Sequence, residues 1–127
     1  MNVRHKKTMI AVMPHQKSFE SAPRSRSDDA VVFESFDPKN MAWFFGRDSA
    51  GVEGYFPCGW FGISEADRSA VALRDYDGTE LSLGVGDLFE EEEVYGGWIL
   101  GTSDGRRGWI PLSCIQEAPP FTAPTGP

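Results

Sequence analysis

Two cysteines and two histidines are all that the 127 residues offer of the side chains most used for metal ligation and nucleophilic chemistry. Cys58 and Cys114 form no Cys-x-x-Cys pair and are too few for a disulfide framework, so both are expected to be ordinary, partly buried thiols. There is no Gly-x-Ser-x-Gly, no phosphate-cradling glycine loop and no His/Cys cluster with metal spacing. Asp75, Asp77 and Glu80 stand close together, but acids on a turn loop are ordinarily solvated. No enzyme, no metal site and no cofactor are expected. Long apolar runs are missing too: none approaches the ~18 residues that suggest a spanning helix. The basic amino-terminal stretch is interrupted by Pro14 and His15 before it becomes a signal-peptide core. No membrane association is expected, and a cytoplasmic location, where thiols stay reduced, follows as the expectation.

What is present has the composition of a soluble globular protein, with 40% hydrophobic and 24% charged residues. The net charge of −7 is unevenly spread. Met1 to Ser64 carries eight basic and seven acidic residues, Glu65 to Pro127 four and twelve. An acidic second half repels phosphate backbones and favours cationic partners, so nucleic acid is not an expected ligand. The same charge also serves solubility.

The chain then repeats itself. Trp43 to Phe61 reads WFFGRDSAGVEGYFPCGWF, and Trp98 to Ile115 reads WILGTSDGRRGWIPLSCI. With one inserted residue, Trp43 aligns with Trp98, Gly46 with Gly101, Gly51 with Gly105, Gly54 with Gly108 and Pro57 with Pro111. Each copy reads as strand, tight turn, strand. Asp104-Gly105 is a strong hairpin signal because a type I′ turn needs two positive φ angles. Asp48 to Gly51 makes the same turn one residue longer, Gly84 to Asp87 marks another, and Ala30 to Glu34 reads as a strand. Short strands at roughly ten-residue spacing, with no convincing helical period, predict an all-β fold. A unit of about 50 residues is marginal alone, so the two copies are expected to pack on one another.

Downstream of Ala70, the residues Ala-Leu-Arg-Asp-Tyr (Ala72 to Tyr76), Leu81-Ser82-Leu83, Gly86-Asp87, Trp98 and Gly108-Trp109-Ile110-Pro111 resemble a Src homology 3 (SH3) domain. The first copy resembles the same family mainly through Trp43 to Phe61, and the whole is similar to short bacterial proteins with two divergent SH3-type barrels. The resemblance implies two small five-stranded β-barrels in tandem. Their expected extents are an arm at 1–8, a barrel at 9–63, a linker at 64–69, a second barrel at 70–116 and a Pro-rich tail at 117–127.

The resemblance also implies an aromatic groove on each barrel, where an extended polyproline II segment docks with little loss of entropy. In the second copy Tyr76, Trp98 and Pro111 occupy groove positions, while Arg74 and Cys114 replace expected tyrosines. Glu80, with the Glu90 to Glu93 run, is expected to attract a basic ligand residue. In the first copy Trp43, Pro57 and Trp60 hold the groove positions, with Met13 and His15 where the signature tyrosines would stand. This groove is expected to be the better apolar site. The functional expectation is an adaptor that binds a proline-rich or basic peptide. The alternative is a structural or oligomerisation module with vestigial grooves. The tail contains a Pro124 to Pro127 PxxP spacing without a basic residue nearby.

Overall fold

A computed structural model describes residues 7–119. The strands are β1 (Thr8–Ala11), β2 (Arg24–Ser25), β3 (Ala30–Phe36), β4 (Trp43–Arg47), β5 (Glu53–Pro57) and β6 (Phe61–Ser64). They continue with β7 (Ser69–Ala72), β8 (Tyr76–Asp77), β9 (Leu88–Tyr95), β10 (Trp98–Ser103), β11 (Arg106–Pro111) and β12 (Ile115–Glu117). Two 3₁₀ turns, Cys58–Trp60 and Leu112–Cys114, follow the two groove prolines. The all-β expectation holds among the described residues. Most of the Pro-rich tail, including its PxxP spacing, lies outside them, as does most of the amino-terminal arm.

Local chemistry produces the predicted turns. Asp104 and Gly105 both take positive φ, 51° and 74°, joining β10 to β11. At the corresponding place in the first copy, the Asp48 carboxylate accepts the amides of Ala50 and Val52, and Gly51 has φ 85°. The alternation of Ala30–Phe36 buries Val31 and Phe33, so the expected strand is present and runs two residues further than Glu34.

Two five-stranded antiparallel sheets share one strand order: β5-β4-β3-β7-β6 and β11-β10-β9-β1-β12. The repeat is preserved in detail. Each sheet has a register shift at its central pairing, and Gly46 and Gly101 lie beside these shifts. A Cβ on either glycine would meet a neighbouring carbonyl oxygen, Val32 or Glu90, at 2.0 Å. The sheets stay open, with β5 and β6, and β11 and β12, as edges.

Strand membership departs from the expected boundaries. β1, expected to open the first copy, pairs with β9 and β12 of the second. β7, expected to open the second copy, pairs with β3 and β6 of the first. The interval expected as an interdomain linker is instead the tight turn of the β6–β7 hairpin, closed by the Arg68 amide on the Glu65 carbonyl and by Ser64 with Asp67. β8 likewise pairs with β2, and the stretch from β2 to β8 forms one continuous unit inserted between β1 and β9.

Two physical reasons favour this exchange. A hairpin over a four-residue turn closes with far less chain entropy than a strand that must travel to another sheet. The cores also sort by size. One is built on Phe33, Phe44, Phe56 and Phe61, and accepts only Ala70 and Ala72 from β7. The other is mostly aliphatic, with Leu81, Leu83, Ile99, Ile110 and Ile115 around the single ring of Phe89, and takes the longer Met9 with Ala11 from β1. Small residues face large ones and the interior stays filled. These are called below the Phe-rich unit and the aliphatic unit.

Candidate functional site

The exchange re-sorts the groove residues. Met13 and His15 follow β1 and therefore join Trp98, whereas Arg74 and Tyr76 follow β7 and join Trp60. His15 lies edge-on to Trp98 at 5.7 Å between ring centroids, and its Nε2 donates to Glu80 Oε1 at 3.0 Å. Tyr76 lies edge-on to Trp60 at 5.8 Å. By chain order Tyr76 belongs with Trp98, and Met13 and His15 with Trp43 and Trp60. Both groupings are corrected, because each first strand serves the other copy.

The Phe-rich unit's groove positions, Trp43, Pro57, Trp60 and Tyr76, are all buried, with Trp43 and Trp60 only 6% and 5% exposed. Open rings were expected here, and the aliphatic unit covers them. Its Trp109 packs at 5.4 Å from Trp43, 5.6 Å from Trp60 and 6.4 Å from Tyr76. Its β9–β10 turn supplies the Gly96 carbonyl, which accepts the Trp43 indole N–H at 2.9 Å and the Asn40 amide at 2.7 Å. The approach demands glycine: Gly96 has φ 53°, and a Cβ there would lie 2.5 Å from Trp43 Nε1. Tyr95 completes the seal, donating to the Ala42 carbonyl at 2.9 Å and accepting the Gly59 amide at 2.8 Å. Arg74 lies 3.6 Å over the Trp60 ring and forks onto Glu93 at 2.9 and 2.8 Å. The groove is thus filled from within by an aromatic ring, a carbonyl and a guanidinium.

The aliphatic unit's groove is the more open. Trp98 and Pro111 are half-buried, Met13 is exposed, and Cys114 lies buried below. Among the described residues the Trp98 indole N–H has no hydrogen-bond partner, unlike those of Trp43 and Trp109. Glu80, expected to steer a cation, has its Oε1 taken by His15 and by the amide and hydroxyl of Ser18. In the Glu90 to Glu93 run, Glu92 pairs with Arg107 and Glu93 with Arg74, so half of that acidity is spent internally.

Trp109, which fills the Phe-rich groove, is not among the groove positions expected from the sequence. Its signal lay in the repeat: Gly-Trp-Ile-Pro aligns with Gly-Tyr-Phe-Pro, and the core-filling position is Ile110 or Phe56. Strand alternation therefore turns Trp109 outward from its own core, where an indole needs a partner. Burial and two acidic neighbours, Asp77 and Glu80, raise the Tyr76 phenol far above its ordinary range, and its hydroxyl donates to the Tyr55 carbonyl at 2.7 Å. Desolvation also raises the Cys58 thiol, which keeps it protonated and a poor nucleophile. Both cysteines are free, and no cluster of metal-ligating side chains occurs among the described residues.

Residues 70–118 match the variant SH3 domain family. The matched stretch opens with β7 and β8, which serve the Phe-rich unit, and ends with β9 to β12 of the aliphatic unit. The chain is also similar to Rho guanine nucleotide exchange factor 7 of Rattus norvegicus and of Mus musculus. It is 34% identical to each over 61 residues, which is 47% of this chain. It spans 9% and 7% of the lengths of those relatives. SH3 domains are generally non-catalytic interaction modules, and the matches support a protein-interaction module here.

Proposed function

We propose that the chain is a non-enzymatic protein-interaction module that takes an extended, proline-rich or basic peptide across Trp98, Met13 and Pro111. In this reading the Phe-rich groove serves as internal glue. The observation that carries it is the inequality of the indoles. Trp98 is half-buried and its N–H has no partner among the described residues, whereas Trp43 and Trp109 are buried with theirs bonded and Trp60 is buried beneath Arg74. A partly open indole offers a flat apolar surface and one donor, which suit the rings and carbonyls of a polyproline II segment. Preference for a basic ligand draws support from the net charge of −7 and from Glu90 and Glu91, which have no ion-pair partner among the described residues.

The test is a chemical-shift titration of the full chain with proline-rich and basic peptides. Perturbation should centre on Met13, Trp98 and Pro111, leave Trp43 and Trp60 unmoved, and weaken at least about tenfold in Trp98→Ala. The filled Phe-rich groove favours a second reading, a structural module in which neither groove binds a ligand. Absence of any saturable shift near Trp98, with the fold intact, selects that reading instead.

A further inference from the structure

The two copies differ at one aligned position beside their groove tryptophans. Tyr76 lies edge-on to Trp60, and its counterpart His15 lies edge-on to Trp98. Tyr76 is buried, which raises its phenol far above the ordinary range and keeps it neutral. Histidine, by contrast, is the side chain that ordinarily changes charge between about pH 5 and 8. The half-open groove therefore carries a titratable ring where the covered one carries an inert ring.

His15 is fixed by its backbone, whose amide donates to the Leu83 carbonyl at 2.9 Å and whose carbonyl accepts the Leu83 amide at 2.8 Å. Its Nε2 donates to Glu80 Oε1, and the two side chains are only 14% and 13% exposed. That oxygen also takes the amide and hydroxyl of Ser18. Among the described residues Glu80 Oε2 and His15 Nδ1 have no hydrogen-bond partner. A second imidazole proton can thus settle on Nδ1 without breaking a bond in the cluster. Only the charge changes: an ionised Glu80 beside a neutral ring is one net negative charge, and beside a protonated ring it is none.

The other charges around the pair are directed elsewhere. On the segment of His15, the Lys17 ammonium meets Glu20 at 3.8 Å; on the segment of Glu80, Asp77 meets Arg24 at 3.4 Å and accepts the Thr79 amide and hydroxyl. From β11, Arg106 and Arg107 line the open cleft beside Glu80, with Arg107 turned to Glu92 at 3.0 Å. β10 contributes the Trp98 ring and no charged side chain. His15 is then the group placed to set the charge that Glu80 shows to the groove.

We propose that His15 is a pH-dependent specificity residue: neutral, it leaves the Glu80 charge uncompensated to attract a basic ligand residue; protonated, it stands in for that residue and turns the Trp98 groove toward proline-rich segments without one. The inference rests on the peptide reading above. Acid weakens basic ligands and spares neutral ones, and by linkage a bound basic ligand disfavours protonation of His15.

The experiment titrates the full chain, in a His5→Gln background that removes its other histidine, with two peptides at about pH 7.5 and 5.5. One peptide is proline-rich with a single arginine; the other has alanine in its place. The arginine peptide should bind about three- to tenfold more weakly at the lower pH, and the alanine peptide equally at both. His15→Gln, which keeps a donor for Glu80 but takes no charge, should erase the difference. In the chain with His15 intact, its ring C–H signals should titrate at lower pH when the arginine peptide is bound, a readout that does not depend on how the variant folds. An equal pH response for both peptides, no response for either, or a response that survives His15→Gln overturns the proposal and leaves the groove standing. Absence of binding by both peptides at both pH values removes the groove itself, and the switch with it.

Discussion

The two aromatic grooves descend from one repeated motif, yet they meet opposite fates. Trp43 and Trp98 align residue for residue, as do Pro57 and Pro111. Trp43 gives its indole N–H to Gly96 across the interface, whereas Trp98 stays half-buried with its own N–H unused among the described residues. The difference comes from what each unit presents to the other. The aliphatic unit presents Trp109, a large outward ring, and a Gly-Gly turn that lets backbone approach; the corresponding outward residue of the Phe-rich unit, Tyr55, remains 41% exposed. A groove built to receive a peptide can serve equally well as a socket for a neighbouring fold, because both tasks need rings and a donor at the same spacing.

The sharpest way to break this comparison is to remove β1. Deleting residues 1–11 should unfold the aliphatic unit, which loses the strand between β9 and β12, while the amides of β3 and β7 lose less hydrogen-exchange protection than those of β9 and β10. Loss of protection in the Phe-rich unit first would mean that β1 belongs to its own copy after all.

Next in size is the socket. Trp109→Ala should cost about 3–5 kcal/mol in urea unfolding, a large part of the ~5–15 kcal/mol available to a small domain. Trp98→Ala should cost clearly less, since its ring already meets solvent. Equal costs for the two substitutions would erase the asymmetry.

Alkali offers a gentler probe of the same interface. The Tyr76 phenol is raised in the folded protein, chiefly by burial and then by Asp77 and Glu80, so folding holds it protonated. Its contribution is complete below the unfolded tyrosine value of about 10 and declines as pH climbs above that value. Urea midpoints should therefore fall above about pH 10, and Tyr76→Phe should flatten that fall.

The smallest effect belongs to Arg74. Its fork onto Glu93 and its stacking on Trp60 are both solvent-facing, with the Arg74 side chain 47% exposed. Arg74→Ala should shift stability by about 0.5–1 kcal/mol, less at high salt. A larger loss would show that the guanidinium is a structural plug rather than a cover.

Much of this was legible from the residues. Asp104-Gly105 announced its turn because few pairs accept two positive φ angles, and the repeated Trp-to-Pro interval announced duplication because independent sequences do not share such spacing. Even the equivalence of Met13 with Arg74, and of His15 with Tyr76, was readable by alignment. The partners of those residues were not. Alignment follows the chain, and strand pairing does not have to.

Local order, then, was settled by the chain itself: which stretches extend, where they turn and which side of each strand is apolar all follow from backbone sterics and period-two burial. Which copy each opening strand completes, and which set of groove positions is covered, emerged only when the units packed. Those outcomes turn on the fit of Ala70 and Ala72 against four phenylalanines, and of Trp109 into a ready socket, and on the low entropy cost of a four-residue hairpin turn.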